Sequence, residues 1–271
     1  MVSNRMLPLY VLLLAAGSCD KNGAARATPS GRPTASSAEQ PAIDALVRGD
    51  FPAARGAADE VLKRTPDSAR AAAVRAVARY QAAGVALMAR AEPIEALIER
   101  GDAARVDGEI RTALEAFDRD LVAVDEDLAI AEADPTFALE VCLACWRHDW
   151  TGDREVDERD LRMLEIEYDT SGAELPDGDP RRRPTFRLDH GDVIWARAMI
   201  SFQRTLVRLG MAYRWSALAD AMRGNSRVLR IPLAHPDDVK RARDLALTAL
   251  DHAERCRQAY LAETVDDREW V

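Results

Sequence analysis

From about residue 42 onward, apolar positions recur every three to four residues, and Ala, Leu, Arg and Glu dominate while β-branched runs are scarce. This pattern predicts an all-α fold, with helices over 42–48, 52–64, 67–90, 105–132 and 136–148 and a short helix over 161–166. Two longer helices are predicted over 191–223 and about 236–262, the second begun by His235-Pro236-Asp237-Asp238. The first of these carries Trp195, Met199, Phe202, Leu206, Leu209 and Tyr213 at alternating four- and three-residue spacing, which is one continuous apolar stripe. Such a stripe is expected to be a core seam, and residues 191–271 form a C-terminal helical hairpin around it. Arg197, Arg204, Arg208 and Arg214 interrupt the run and exclude a transmembrane span. From Tyr168 to Leu188 the chain is dense in Gly, Pro, Asp and Arg, and a loop is expected there.

The first forty residues have a different pattern. Arg5, an apolar run from Leu7 to Ala16 and then Gly17-Ser18-Cys19 read as an export signal, and the run is too short to cross a bilayer comfortably. The segment resembles the bacterial lipoprotein lipobox. That resemblance implies a signal peptide over 1–18, lipidation of Cys19 and a lipid-anchored place in the bacterial cell envelope, on the periplasmic or cell-surface side. Residues 19–40 have no periodic apolar positions and suit a flexible tether. With 37 basic against 46 acidic residues and a net charge of −9, the chain has no broad basic surface and gives no reason to expect nucleic acid.

Residues 42–71 combine Ala42, Gly49-Asp50-Phe51, Ala54, Leu62, Pro66, Ala69 and Ala71. They resemble the second half of a tetratricopeptide repeat, with weaker echoes at Arg100-Gly101-Asp102 and at Ala131 to Pro135. The resemblance implies stacked, irregular helical hairpins over 41–148 with a concave face for a protein or peptide. Ordinary hairpins with Gly and Pro at their turns read the same way.

The most pointed chemistry lies in 149–190. Asp149, Thr151, Asp153, Asp157 and Asp160 occupy positions 1, 3, 5, 9 and 12 of a twelve-residue segment, and Glu155 at position 7 supplies a backbone carbonyl. Four carboxylates converging on one point repel unless a hard cation neutralises them. With Asp at position 12, the segment resembles the EF-hand-like calcium loop of dockerin modules. That likeness implies Ca2+ held by Asp149, Thr151, Asp153, Glu155, Asp157 and Asp160. Arg154 departs from the pattern, because position 6 normally needs the positive φ of Gly. The same acids also suit a helix start, as caps and dipole partners.

Cys142 and Cys145, with His252 and Cys256, could supply two ligand pairs to a zinc ion, or the cysteines could form a disulfide or buried thiols. His148, beside Asp149, and His190, between Asp189 and Asp192, allow an alternative reading as an extracytoplasmic hydrolase or envelope-remodelling enzyme. No nucleophile elbow, phosphate loop or dinucleotide fingerprint accompanies them. The sequence therefore favours a non-enzymatic binding or scaffold protein of the envelope, carrying one structural calcium.

Overall fold

The computed structural model describes residues 38–149, 155–169, 171–217 and 230–263. Helices α1 (Gln40–Val47), α2 (Phe51–Leu62), α3 (Ala69–Met88), α4 (Ala91–Arg100) and α5 (Ala103–Glu132) build the N-terminal part. Strand β1 (Ala138–Val141), the short helix α6 (Glu158–Arg162), strand β2 (Phe186–Asp189), α7 (His190–Ala212) and α8 (Pro236–Ala262) follow. Cap chemistry sets several starts. The Asp50 carboxylate accepts from Ala53 N at the head of α2, with Pro52 at a position where a missing N–H costs nothing. Ser68 Oγ accepts from Ala71 N and itself donates to Glu39, tying the head of α3 to that of α1.

Packing proceeds along a row, α1 to α2 to α3 to α5 to α7 to α8, with α4 lying against α5. Ion pairs fix the register of antiparallel neighbours. Arg70 donates to the Ala138 carbonyl while Arg79 reaches Ala123 O and Asp127, so α3 and α5 run in opposite directions. Arg197 pairs with Asp125 and Glu132, and Arg111 donates to Met211 O, which sets α5 against α7. The main core joins small residues of α1 to α3, such as Ala42, Ala54, Ala58 and Val74, to Leu121, Val124 and Leu128 of α5 and Ile200, Val207 and Met211 of α7. A satellite cluster of Leu97 and Val106 sits under Trp215.

Several expectations need correction. Residues 136–148 are not a helix. Ala138–Val141 is a strand paired antiparallel with Phe186–Asp189, Ala138 facing Asp189 and Val141 facing Phe186, so the fold is mostly helical with a small two-stranded sheet. Leu139 and Val141 point into the core on alternate positions while Glu140 is exposed. The helix predicted over 191–223 stops at Ala212, where Tyr213 turns to extended backbone. The short helix starts three residues before the predicted Leu161, at Glu158. The stretch expected as a loop, 168–188, is tied down by Arg182, which pairs with Glu165 and Asp177, and by the Ile166 N–H, which donates to Arg182 O. Arg181 pairs with Asp179 and Arg183 with Glu165, so this basic triplet meets its own acids.

The four-ligand zinc alternative is displaced as well. Cys142 and Cys145 form a disulfide around the turn Leu143–Cys145, and Cys256 is a buried thiol on α8. So short a ring adds little chain-entropy stabilisation, about 2 kcal/mol. Reduction is therefore expected to leave the far-ultraviolet circular dichroism unchanged and to lower the unfolding midpoint by roughly 4–8 °C. Loss of helical signal on reduction would contradict this.

Candidate functional site

Two surfaces stand out, one acidic and one apolar. The acidic one begins where Trp146 buries its indole edge-on to Phe51, the ring centroids 5.2 Å apart. His148 packs on the same phenylalanine, its ring centroid 5.4 Å away. Both lean on the turn between α1 and α2. Gly49 there holds φ +71°, and a Cβ at that position would lie 2.8 Å from Arg147 N, so the turn needs glycine both for its conformation and for the close approach. Burial pushes the His148 imidazole below its ordinary pKa, while the charges of Asp149 and Asp160 act in the opposite direction. The first and last positions of the twelve-residue segment thus both act on His148.

The other described members of the segment are used locally. Asp157 caps α6, accepting from Arg159 N at 2.8 Å and from the Arg159 guanidinium. Asp160 lies 1 % exposed and accepts from Asp157 N at 3.1 Å, closing a capping box. The Arg159 guanidinium, together with the Arg159 and Asp160 N–H groups that donate to it, holds the Asp157 carboxyl below the usual range. Glu155 is exposed at a bend. Thr151 and Asp153 lie outside the described residues, as does Cys19. Among the described residues no group of three His, Cys, Asp or Glu side chains stands in a metal-holding arrangement. The described part of the segment is therefore a capped helix start, and it does not by itself build an ion site.

His190 serves a different element from His148: its Nε2 lies 3.0 Å from the Glu132 carbonyl at the end of α5. Asp189 and Asp192 form a capping box at the head of α7, and Asp192 also accepts from Tyr260 Oη at 2.7 Å. Gly191 makes room for the Tyr260 ring, which would meet a Cβ there at 2.8 Å. Burial, then the Asp192 charge, drives the Tyr260 hydroxyl far above its ordinary pKa, so it stays a donor. His190 and Asp192 thus fasten the ends of α5, α7 and α8, while His148 packs on Phe51 of α2.

The apolar surface is the one the sequence misassigned. The stripe read as a core seam faces outward: Phe202 is 45 % and Leu206 47 % exposed, and Tyr213 is exposed while Trp195, Met199 and Leu209 are half-buried. The packed side of α7 is instead Val193, Ile200, Val207 and Met211, together with three arginines. Arg204 and Arg208 pair with buried Asp118, Arg208 and Arg111 pair with buried Asp238, and Arg197 and Arg255 pair with buried Glu132. Salt bridges thus weld α5 to α7 and α8 on one side, and large apolar residues are left on the other.

Helix α8 carries exposed apolar residues on a separate side: Asp238, Ala242, Ala249 and Cys256 form its buried line against α7, and at about 100° per residue Leu247, Leu250 and Leu261 lie on the opposite side. These are 59 %, 66 % and 72 % exposed. An exposed apolar stripe such as that of α7 marks an interaction surface. Among the described residues no helix is long and apolar enough to cross a membrane. Protein-family models, curated proteins and solved structures contain no match to the chain.

Proposed function

We propose that this chain is an exported binding or scaffold protein of the cell envelope, lipid-anchored through Cys19, whose docking surface is the outer face of α7. One observation carries the reading: the outward stripe of α7 from Trp195 to Tyr213 is large and apolar at each step, with Phe202, Leu206 and Tyr213 exposed. The buried arginine pairs support it, since they spend the charge of α7 on its packed side. A photoreactive amino acid placed at Phe202 or Leu206 in living cells is expected to yield a defined cross-linked adduct. The same probe at Lys63, on the exposed face of α2, is expected to yield none. Absence of adduct at α7 would overturn the reading.

In this proposal calcium is structural, held by the Asp149–Asp160 segment. It is supported by the ligand spacing of the segment. Ion binding would stabilise the native state by mass action, by about 2.7 kcal/mol at a hundredfold excess over Kd. Calcium is expected to raise the unfolding midpoint of the wild type by several degrees relative to chelator, and not that of an Asp149→Ala, Asp153→Ala variant. Equal midpoints for the wild type in both media would remove the ion from the proposal.

A further inference from the structure

We infer that Cys142 and Cys145 form a reactive cystine that exchanges with thiols, rather than a structural cross-link; this site is separate from the α7 face and goes beyond the binding role. The first support is that the fold does not need the bond. The turn that carries the two sulfurs is closed by its own backbone, Cys145 N donating to Cys142 O and Trp146 N to Leu143 O, each at 3.1 Å. Strand β1 anchors one flank through its ladder with β2, and the buried Trp146 anchors the other. The two Cα atoms are thereby held 5.2 Å apart whether or not the sulfurs are joined. Opening the bond leaves one thiol beside the other, so closure is intramolecular and the cystine can cycle without refolding.

The second support is linkage. Coupling is reciprocal, so whatever the disulfide adds to the stability of the fold, the fold adds to the stability of the disulfide. With a sequence separation of 3 the ring is short and that contribution is small. Folding therefore makes the cystine only about thirtyfold harder to reduce than it is in the unfolded chain. A cystine so weakly held is open to the thiols that structural disulfides resist.

The third support is an asymmetry between the sulfurs. Cys145 is half-buried and within reach of solvent, whereas Cys142 is 4 % exposed. Cys142 Sγ lies 3.6 Å from the Arg183 carbonyl, a contact that carries no hydrogen while the disulfide is closed and becomes an S–H donation once Cys142 is a thiol. Cys142 also borders an open cavity of about 370 Å³, with Ile43, Val47 and Thr185, which gives its sulfur room to part from Cys145. These observations assign the roles. A substrate thiolate attacks Cys145 Sγ and bonds to it, the Cys142–Cys145 bond breaks, and its electron pair leaves on Cys142, which takes up the proton the substrate thiol released. A second substrate thiolate attacks the substrate sulfur now bound to Cys145, forming the substrate disulfide and freeing Cys145, which takes up the second proton. Two electrons pass from two thiols to one cystine, and no other oxidant or reductant enters.

Differential alkylation of the native full chain in buffers of reduced and oxidised glutathione tests this, read peptide by peptide so that Cys142 and Cys145 are separated from Cys19 and Cys256. The pair is expected to reach equilibrium without denaturant. At half-reduction, the ratio of squared reduced to oxidised glutathione should lie within about thirtyfold of its value in urea. In Cys142→Ser the remaining Cys145 should take up glutathione from its disulfide at least about tenfold faster than does the remaining Cys142 of Cys145→Ser. Circular dichroism confirms that both variants fold, and the wild-type equilibrium needs neither. A synthetic peptide carrying two thiols separates the sources of electrons: a rate per thiol above that of glutathione assigns the site to polypeptide dithiols, and an equal rate assigns it to small thiols. A pair that stays oxidised until urea unfolds the chain is a structural cross-link and overturns the inference. Uptake that is equal at the two single cysteines, or faster at Cys142, overturns the assignment of Cys145 as the attacked sulfur.

Discussion

Replacing Asp127 by alanine is expected to destabilise the fold by about 3 kcal/mol or more, the cost of leaving buried cations without their counter-charge. Asp127 is 1 % exposed near the C-terminal end of α5 and accepts from Arg75 at 2.6 Å and from Arg79 at 2.9 Å, both on α3. Asp59 of α2 takes a further hydrogen bond from Arg75 at 3.1 Å, so one carboxylate anchors a chain of contacts across three helices. The arginines keep side-chain exposures of 18 % and 23 %, so water relieves part of the loss and the lower end of the range applies. For a domain of this size, each kcal/mol shifts the midpoint by roughly 2–4 °C, so a drop of about 6–12 °C should be read by circular dichroism. Glu60→Ala, which removes the partner of Lys63 on the exposed face of α2, should leave the midpoint unchanged. A comparable drop in both variants would mean that the buried position of Asp127 is not what matters.

That network was hard to read from sequence because it inverts the usual pattern. On α7 the branched and small residues Val193, Ala198, Ile200 and Val207 face inward with the arginines, and the large apolar residues face outward. Hydrophobic periodicity found the stripe but could not say which way it pointed; the acids at Asp118, Asp125 and Glu132 on α5 carried that information. Helices α1, α2, α3 and α5 were legible to within a few residues at each end, whereas α4, Ala91–Arg100, was not predicted. Gly49-Asp50-Phe51 marked the α1–α2 turn because each residue there has a local duty: positive φ, cap and first buried ring. Strand β1 was missed although Phe137, Leu139 and Val141 alternate, since Ala, Leu and Glu around them have high helix propensity and a partner fifty residues away decided the matter. The acidic segment was legible as spacing. What its carboxylates do locally followed only from the cap geometry at Asp157 and Asp160.

Trp146→Ala is expected to destabilise the protein by about 3–5 kcal/mol, as for other large aromatic truncations in a core. The indole is 4 % exposed and links the end of the sheet region to Phe51, at the junction where His148 also packs and the acidic segment begins. Gly49→Ala strikes the same junction from the other side. It adds left-handed strain of about 1–2 kcal/mol and forces a Cβ to within 2.8 Å of Arg147 N. The two losses should combine less than additively in chemical denaturation, by 0.5 kcal/mol or more in the manner of residues in contact. Once the indole no longer pins the segment, the backbone at Trp146 and Arg147 can retreat from residue 49. Strict additivity would show that the α1–α2 turn and the Trp146 segment are held separately. If the turn does hold the segment, the double variant should also blunt the response to calcium, since Asp149 lies only three residues beyond Trp146.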